Sequence, residues 1–169
     1  LAPDGPTLIE LVARAVEPLS DDLIVVAPPE RGYGSFLQGW RMVPDLMPGA
    51  GPAGGVLSAL RSARHDVVLV LPCDAPLVSP PLIRYLLERA DHSRPVIPWR
   101  RGTTRQGTGS TLEVLHGSYP RSVAGRLEAA VHSGERQFFR MVRGLDPVLV
   151  GPDILTRFDA GLLSFRSLN

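Results

Sequence analysis

The run Val67-Val68-Leu69-Val70-Leu71 is wholly apolar, mostly β-branched, and stops abruptly at Pro72-Cys73-Asp74-Ala75-Pro76. A run without polar alternation suits a strand buried on both faces, and such a strand needs helices above and below it. Leu23-Ile24-Val25-Val26-Ala27 repeats the pattern and is closed by Pro28-Pro29. Helical patterns alternate with these runs. Thr7 can cap a helix whose apolar positions Leu8, Leu11, Val12, Ala15 and Val16 recur at helical spacing, closing at Pro18 and Asp21-Asp22. Arg41-Met42-Val43 reads as a short strand ending at Pro44-Asp45, and a glycine-rich loop leads from it into a helix from about Val56 to Arg64. Ser79-Pro80-Pro81 starts a further helix with Leu82, Leu86 and Ala90 on one face, and Pro95 to Trp99 reads as a strand. This alternation predicts an α/β fold around a mainly parallel sheet with right-handed crossovers.

Beyond Arg100 the pattern weakens. A polar Gly/Thr/Arg stretch runs to Ser110, followed by a strand over Thr111 to Leu115, a helix from about Pro120 to His132 and another from Glu135 to Arg143. Short apolar pieces at Val148-Leu149-Val150 and Leu162 to Phe165 end the chain. With 169 residues, 44% hydrophobic and 21% charged, the expectation is one domain over residues 1–169 with a substantial core.

Composition also bounds function. The longest apolar run is too short for a membrane span, and Asp4, Glu10 and Arg14 interrupt the first apolar stretch, so no signal peptide is expected. The single cysteine, Cys73, rules out an internal disulfide and points to a reducing, cytoplasmic setting. A net charge of +1 argues against nucleic-acid coating or membrane attachment as the chain's role. All 18 basic residues are arginine, so Schiff-base chemistry and a phosphate-loop lysine are excluded within these residues.

Two aspartates stand where α/β sheets bind ligands, at the carboxyl ends of predicted strands. Asp74, held between Pro72 and Pro76, is a hard oxygen ligand suited to magnesium. Asp45 precedes Met47-Pro48-Gly49-Ala50-Gly51-Pro52-Ala53-Gly54-Gly55, whose backbone amides and following helix start can attract a phosphate. Plainer readings stand beside these: either aspartate could be a turn former or helix cap, and Gly49 and Gly51 could serve the turn alone. Arg100, Arg101 and Arg105 gather after a predicted strand, and Arg136, Arg140 and Arg143 share a helical face, as phosphate binders or as a solvated surface. His65, His92, His116 and His132 share no metal-ligand spacing and read as surface or turn residues. Cys73 reads as a small buried residue, and Trp40 and Trp99 as core or rim packing.

Taken together, these segments are specific. Val43 to Leu57 resembles the "D-x-x-P-G-x-G-P-L-A-G-I" segment of the molybdenum cofactor guanylyltransferases, and Val70 to Leu77 resembles their "L-P-C-D-M-P-F" segment. Gly134-Glu135-Arg136 is similar to their "G-E-R" helix start, and Phe165-Arg166-Ser167-Leu168-Asn169 to the opening of "F-x-N-x-N-T-P". The resemblance implies a three-layer, Rossmann-like nucleotidyltransferase fold. It implies transfer of GMP from magnesium GTP to the phosphate of molybdopterin in the molybdenum cofactor, with release of pyrophosphate. By position, Asp74 would bind Mg2+ and the GTP phosphates, Asp45, Gly49 and Gly51 would contact the nucleotide, and Asn169 would complete the metal site. Arg136 and Arg101 are the candidates for the pterin phosphate. Other molybdenum cofactor biosynthesis proteins and molybdoenzyme acceptors would be partners. Nucleotidyl transfer needs a metal and positioning rather than a protein nucleophile, in keeping with the composition.

The family also carries an opening strand and a loop "L-A-G-G-x-S-x-R-M-G-x-D-K", expected upstream of Leu1. The chain departs from the family at Pro28-Pro29, where relatives have an asparagine, and near Arg105-Gln106-Gly107, where relatives have a proline. Two alternatives follow: a cytidylyltransferase acting on the same pterin, and a non-catalytic binding module that keeps the fold.

Overall fold

A computed structural model describes residues 5–28, 37–104 and 107–168. Helix α1 (Leu8–Val16) begins as the sequence predicts: the Thr7 hydroxyl accepts from the Glu10 amide, and the Glu10 carboxylate accepts from the Thr7 amide at 2.7 Å. Its buried residues are Val12, Ala13 and Val16, and Ala13 joins Val25 of strand β1 (Ile24–Val26) in one apolar cluster. Strand β2 (Arg41–Val43) pairs with β1 in parallel, Ile24 opposite Arg41 and Val26 opposite Val43. Helix α2 (Pro52–Ser62) follows, starting four residues before the expected Val56.

Strand β3 (Val67–Val70) and helix α3 (Pro80–Glu88) fall where expected, α3 capped by the Ser79 hydroxyl. Strand β4 (Val96–Thr104) runs beyond the predicted strand and turns back into β5 (Gly107–Leu112), so the polar stretch after Arg100 is a hairpin. Strand β6 (Gly117–Pro120), helices α4 (Ala124–His132) and α5 (Phe138–Gly144), strand β7 (Val148–Val150) and helix α6 (Pro152–Phe158) complete the chain. None of the described helices is long and apolar enough to cross a membrane.

The sheet is mixed, which corrects the expectation of a mainly parallel one. Its order is β3-β6-β4-β5, with antiparallel contacts throughout, and β7 adds in parallel to β4. The cause is β6. It returns from the β4-β5 hairpin through a tight connection and lies between β3 and β4 with no crossover helix to reverse its direction.

Helices cover both faces. Neighbours Val96 and Ile97, both 0% exposed, point to opposite sides of β4. Ile97 joins Leu57, Leu60, Tyr119, Leu127 and Val142 beneath α2, α4 and α5, whereas Val96 joins Leu82, Leu86, Val150, Leu155 and Phe165 beneath α3 and α6. This is the layered α/β arrangement the alternating pattern predicts.

Among the described residues, β1 pairs only with β2 and β3 only with β6. Their remaining edges wall a slot of about 730 Å³ that α1 and α2 roof with Val12, Val16, Val56 and Ala59. Asp22 ties its lower end together. It accepts both Nε and Nη2 of Arg41, at 2.8 and 3.0 Å, and the Arg64 amide at 2.8 Å, with its side chain 4% exposed. Arg41 Nη2 also donates to the Ser62 carbonyl at the end of α2.

Removing the Asp22 carboxylate strands a guanidinium and an amide, so Asp22→Ala is expected to destabilise the fold by about 3 kcal/mol and lower Tm by about 5–10 °C. Asp21→Ala, next door, removes only an exposed pair with His65 and should change stability by less than about 0.5 kcal/mol. Thermal unfolding of the two variants checks the contrast.

Candidate active site

Chain direction places Asp74. Strand β3 ends at Val70, and Pro72 cannot donate to a continuing ladder, so the backbone turns at Cys73-Asp74 over the carboxyl end of the sheet. Asp74 is half-buried at the mouth of the slot, which Pro52 and Gly55 of α2 also line. Its backbone carbonyl accepts from the Leu168 amide at 2.8 Å, and its Oδ2 accepts from the Ser167 hydroxyl. Among the described residues no protein donor meets Oδ1.

The segment that delivers Ser167 is anchored stepwise. After α6, the Asp159 carboxylate accepts the Leu163 and Ser164 amides at 3.0 and 2.7 Å while Leu162 turns through a left-handed φ of +50°. The Ser164 hydroxyl accepts the Ser79 amide at 2.9 Å, Ser79 Oγ donates to the Phe158 carbonyl, and Phe165 is buried under α3 and α6. Residues 163–168 thus form a strap that crosses α3 and ends on Asp74.

The glycine-rich turn is built around Asp45 and Ser58. Asp45 Oδ1 accepts from the Met47 amide at 2.9 Å. The fully buried Ser58 hydroxyl accepts the Leu46 amide and donates to the Gly54 carbonyl at 2.7 Å. Gly49 and Gly51 have φ of +89° and +61°, and Gly51 turns the chain into Pro52, the first residue of α2. A Cβ on Gly54 would come within 2.7 Å of Asp45 Oδ1 and of the Met47 carbonyl, so the carboxylate packs directly on the first turn of the helix. Asp45 thus holds the turn that leads into α2.

The remaining predicted residues are dispersed. Arg100 and Arg101 lie in β4 rather than a loop; Arg100 pairs with Glu113, while Arg101 is exposed opposite Ser110. Arg136 precedes α5 instead of sharing its face with Arg140 and Arg143, and Glu135 accepts the amides of Arg136 and Gln137 at 2.8 Å. Cys73 is exposed, not buried. Asn169, Arg105 and Pro29 lie outside the described residues, and within those residues no three metal-ligating side chains cluster.

His116 corrects the reading most. It is 6% exposed and stands with its ring edge on Phe165, centroids 5.0 Å apart. Its Nε2 is buried and meets no hydrogen-bond partner among the described residues. Burial pushes its pKa down to about 4; the Ser164 carbonyl and the Asp74 charge oppose the shift, and Arg100 reinforces it. His116 carried no periodic or motif signal, and Ser167 lay within the motif-like segment Phe165 to Asn169 without being singled out.

The unfolded chain takes up this proton near pH 6.5, the folded chain only near 4. Between those values the unfolded state binds more protons, so stability falls as pH falls, and the loss attributable to His116 is complete below about pH 4, at roughly 3 kcal/mol. Denaturant unfolding of the native protein and His116→Phe between pH 7 and 4 should show the slope in the former and its loss in the variant.

The comparisons with known proteins bear on the family and the fold. The family model of the MobA-like NTP transferase domain matches residues 1–148. A molybdenum cofactor guanylyltransferase of Pseudomonas syringae pv. syringae is 38% identical over 146 residues, covering 85% of this chain and 69% of that protein. Among solved structures, molybdopterin-guanine dinucleotide biosynthesis protein A from Archaeoglobus fulgidus superposes with a TM-score of 0.75 at 24% identity, over 98% of this chain and 80% of that one. The 2-C-methyl-D-erythritol 4-phosphate cytidylyltransferase of Thermus thermophilus does so with a TM-score of 0.65 at 19% identity, over 92% and 89%. At these identities the structural likeness establishes the α/β nucleotidyltransferase fold. The chain belongs to the MobA-like NTP transferase domain family and is a nucleotidyltransferase.

Proposed function

We propose that this protein transfers GMP from magnesium GTP to the phosphate of the molybdenum cofactor, releasing pyrophosphate. The observation that carries the reading is Asp74: a half-buried carboxylate at the carboxyl end of β3, one oxygen taken by Ser167 and the other unmet by any described protein donor. Relatives such as the Pseudomonas syringae guanylyltransferase support the choice of substrate. One carboxylate beside a serine hydroxyl fits magnesium, which keeps several waters and takes its other ligands from substrate phosphates. When bound, the metal would neutralise phosphate charge and polarise the reacting phosphoryl group.

The chain's own contribution is placement. Asp74 holds one fixed position because Pro72 limits the turn before it and the Leu168 amide pins its carbonyl. Gly49 and Gly51 shape the turn that starts α2, and Pro52 and Gly55 of that helix line the same slot, so its positive N-terminal end suits phosphate. Asp45 serves the nucleotide by holding that turn. Asn169, which follows Leu168 in the sequence, is the further candidate to complete the metal site. Arg101 and Arg136, exposed and without ion-pair partners among the described residues, are the groups for the pterin phosphate. The slot between β1 and β3, with an unpaired strand edge on each wall, suits a preceding strand that carries a glycine-rich phosphate loop. An exposed Cys73 thiol suits the reducing cytoplasm.

Replacing Asp74 by Asn keeps the shape and removes the charge. It is expected to weaken magnesium-dependent GTP binding and turnover by about 100-fold or more while leaving Tm within about 2 °C. Retained binding overturns the metal role, and a large loss of stability marks Asp74 as structural. Titration with GTP and CTP in magnesium reads the base: tighter binding of CTP overturns the guanylyl reading.

A further inference from the structure

We propose that Ser167 is a positioning residue: its hydroxyl sets the orientation of the Asp74 carboxylate and so fixes which oxygen meets a divalent cation. The inference rests on Asp74 as the carboxylate of the proposed function. An aspartate at a strand end can be oriented by an amide of its own turn, two residues further on. At Asp74 that residue is Pro76, which has no N–H, and among the described residues the carboxylate accepts only from the Ser167 hydroxyl. The next residue, Leu168, donates its amide to the Asp74 carbonyl at 2.8 Å. Two consecutive residues of the strap thus hold one aspartate by its side chain and its main chain. With Oδ2 and the carbonyl both held, rotation about the two side-chain bonds is restricted and Oδ1 keeps one direction.

The chemistry of the donor suits the task. A hydroxyl is neutral, so it orients the carboxylate without cancelling its charge, as a guanidinium in the same place would. Among the described residues no arginine or histidine pairs with Asp74. Ser167 itself is exposed, so its hydroxyl contributes little to the stability of the fold. The segment behind it is fixed: Ser164 is 1% exposed and bonded to Asp159 and to the Ser79 amide, and Phe165 is buried. The strap therefore presents an expendable hydroxyl from a rigid base. Hydrogen-bond partners of a ligating carboxylate typically change metal affinity by about 10- to 100-fold when they are removed.

The test reads binding and needs no turnover. Calorimetry gives the Kd for GTP with and without Mg2+, and the ratio is the factor by which the metal tightens binding. Ser167→Ala removes the donor, and Ser167→Thr keeps it. The alanine variant is expected to lower that factor about tenfold, with metal-free GTP affinity within about twofold and Tm within about 2 °C of the native protein. Threonine is expected to restore the factor to within about threefold. The alanine change is then repeated in Asp74→Asn, where a residue acting through Asp74 has little left to act on, and the further loss is expected to stay below about threefold. An equal tenfold loss in both backgrounds overturns the proposal, because Ser167 then acts independently of Asp74. A parallel loss of metal-free affinity overturns it as well and marks Ser167 as structural, and so does a threonine variant as weak as alanine. An unchanged factor in Ser167→Ala, with Asp74→Asn impaired, overturns this proposal alone and leaves the proposed function standing. An unchanged factor in Asp74→Asn sinks the metal role of Asp74 and this inference with it.

Discussion

The carboxyl end of β3 is held from two directions that are distant in sequence. The strand itself delivers Asp74, and the strap returns 93 residues later to place Ser167 on its carboxylate and the Leu168 amide on its carbonyl. Two hydrogen bonds contribute about 1–3 kcal/mol net, less than the roughly 4–8 kcal/mol needed to order even the four residues from Ser164 to Ser167. The strap is therefore held along its length and not at its tip. Burial of Phe165 supplies about 2–3 kcal/mol, and the Asp159 and Ser79 contacts satisfy the amide and hydroxyl of Ser164 that this burial takes from water. The site depends on a C-terminal segment that has little stability of its own and takes it from α3 and α6.

The mixed sheet follows from the same need to bring distant pieces to one edge. Inserting β6 between β3 and β4 puts the apolar faces of Tyr119 and Ile97 under α2 and α4, while Val96 and Val150 serve α3 and α6. β4 is long enough to belong to both parts: Val96 to Pro98 pair with β7, and Trp99 to Thr104 pair with β5 beyond the core. β3, by contrast, is half-exposed along its whole length although every residue in it is apolar. β3 lines the slot, so a wholly apolar strand borders this opening.

The elements read correctly are those whose cause is local. Thr7 and Ser79 cap helices with their own hydroxyls, and Val67–Val70 is a strand in almost any buried context. The β4-β5 hairpin escaped because it is stabilised by its own pairing, Trp99 through Thr104 against Gly107 through Leu112, and its Gly and Thr residues leave no apolar alternation to read. β6 escaped because Gly117 and Pro120 bound a segment only four residues long, and only its fit between two strands makes it extended. At the site, Asp74 and the glycine turn were legible from strand ends and turn chemistry. His116 was not, because burial of a lone histidine after Val114-Leu115 depends on Phe165 arriving from 49 positions away.

Asp45 and Asp74 show how far a local signal reaches. Both follow a short apolar strand and both precede a helix, yet their carboxylates go opposite ways. At Asp45 the next residues are glycine-rich, and the absence of a side chain on Gly54 leaves room for the carboxylate to fold inward, where the Met47 amide meets it and Ser58 fills the space beside it. At Asp74, Ala75 is buried and Pro76 follows, so neither offers an amide that the carboxylate can reach, and the nearest donor is a serine hydroxyl from the other end of the chain. Asp45 is engaged by the amide of its own turn, whereas Asp74 meets a hydroxyl brought from the far end of the chain. The difference lies in which amides follow each aspartate: Met47 offers one two residues after Asp45, and Pro76 offers none two residues after Asp74.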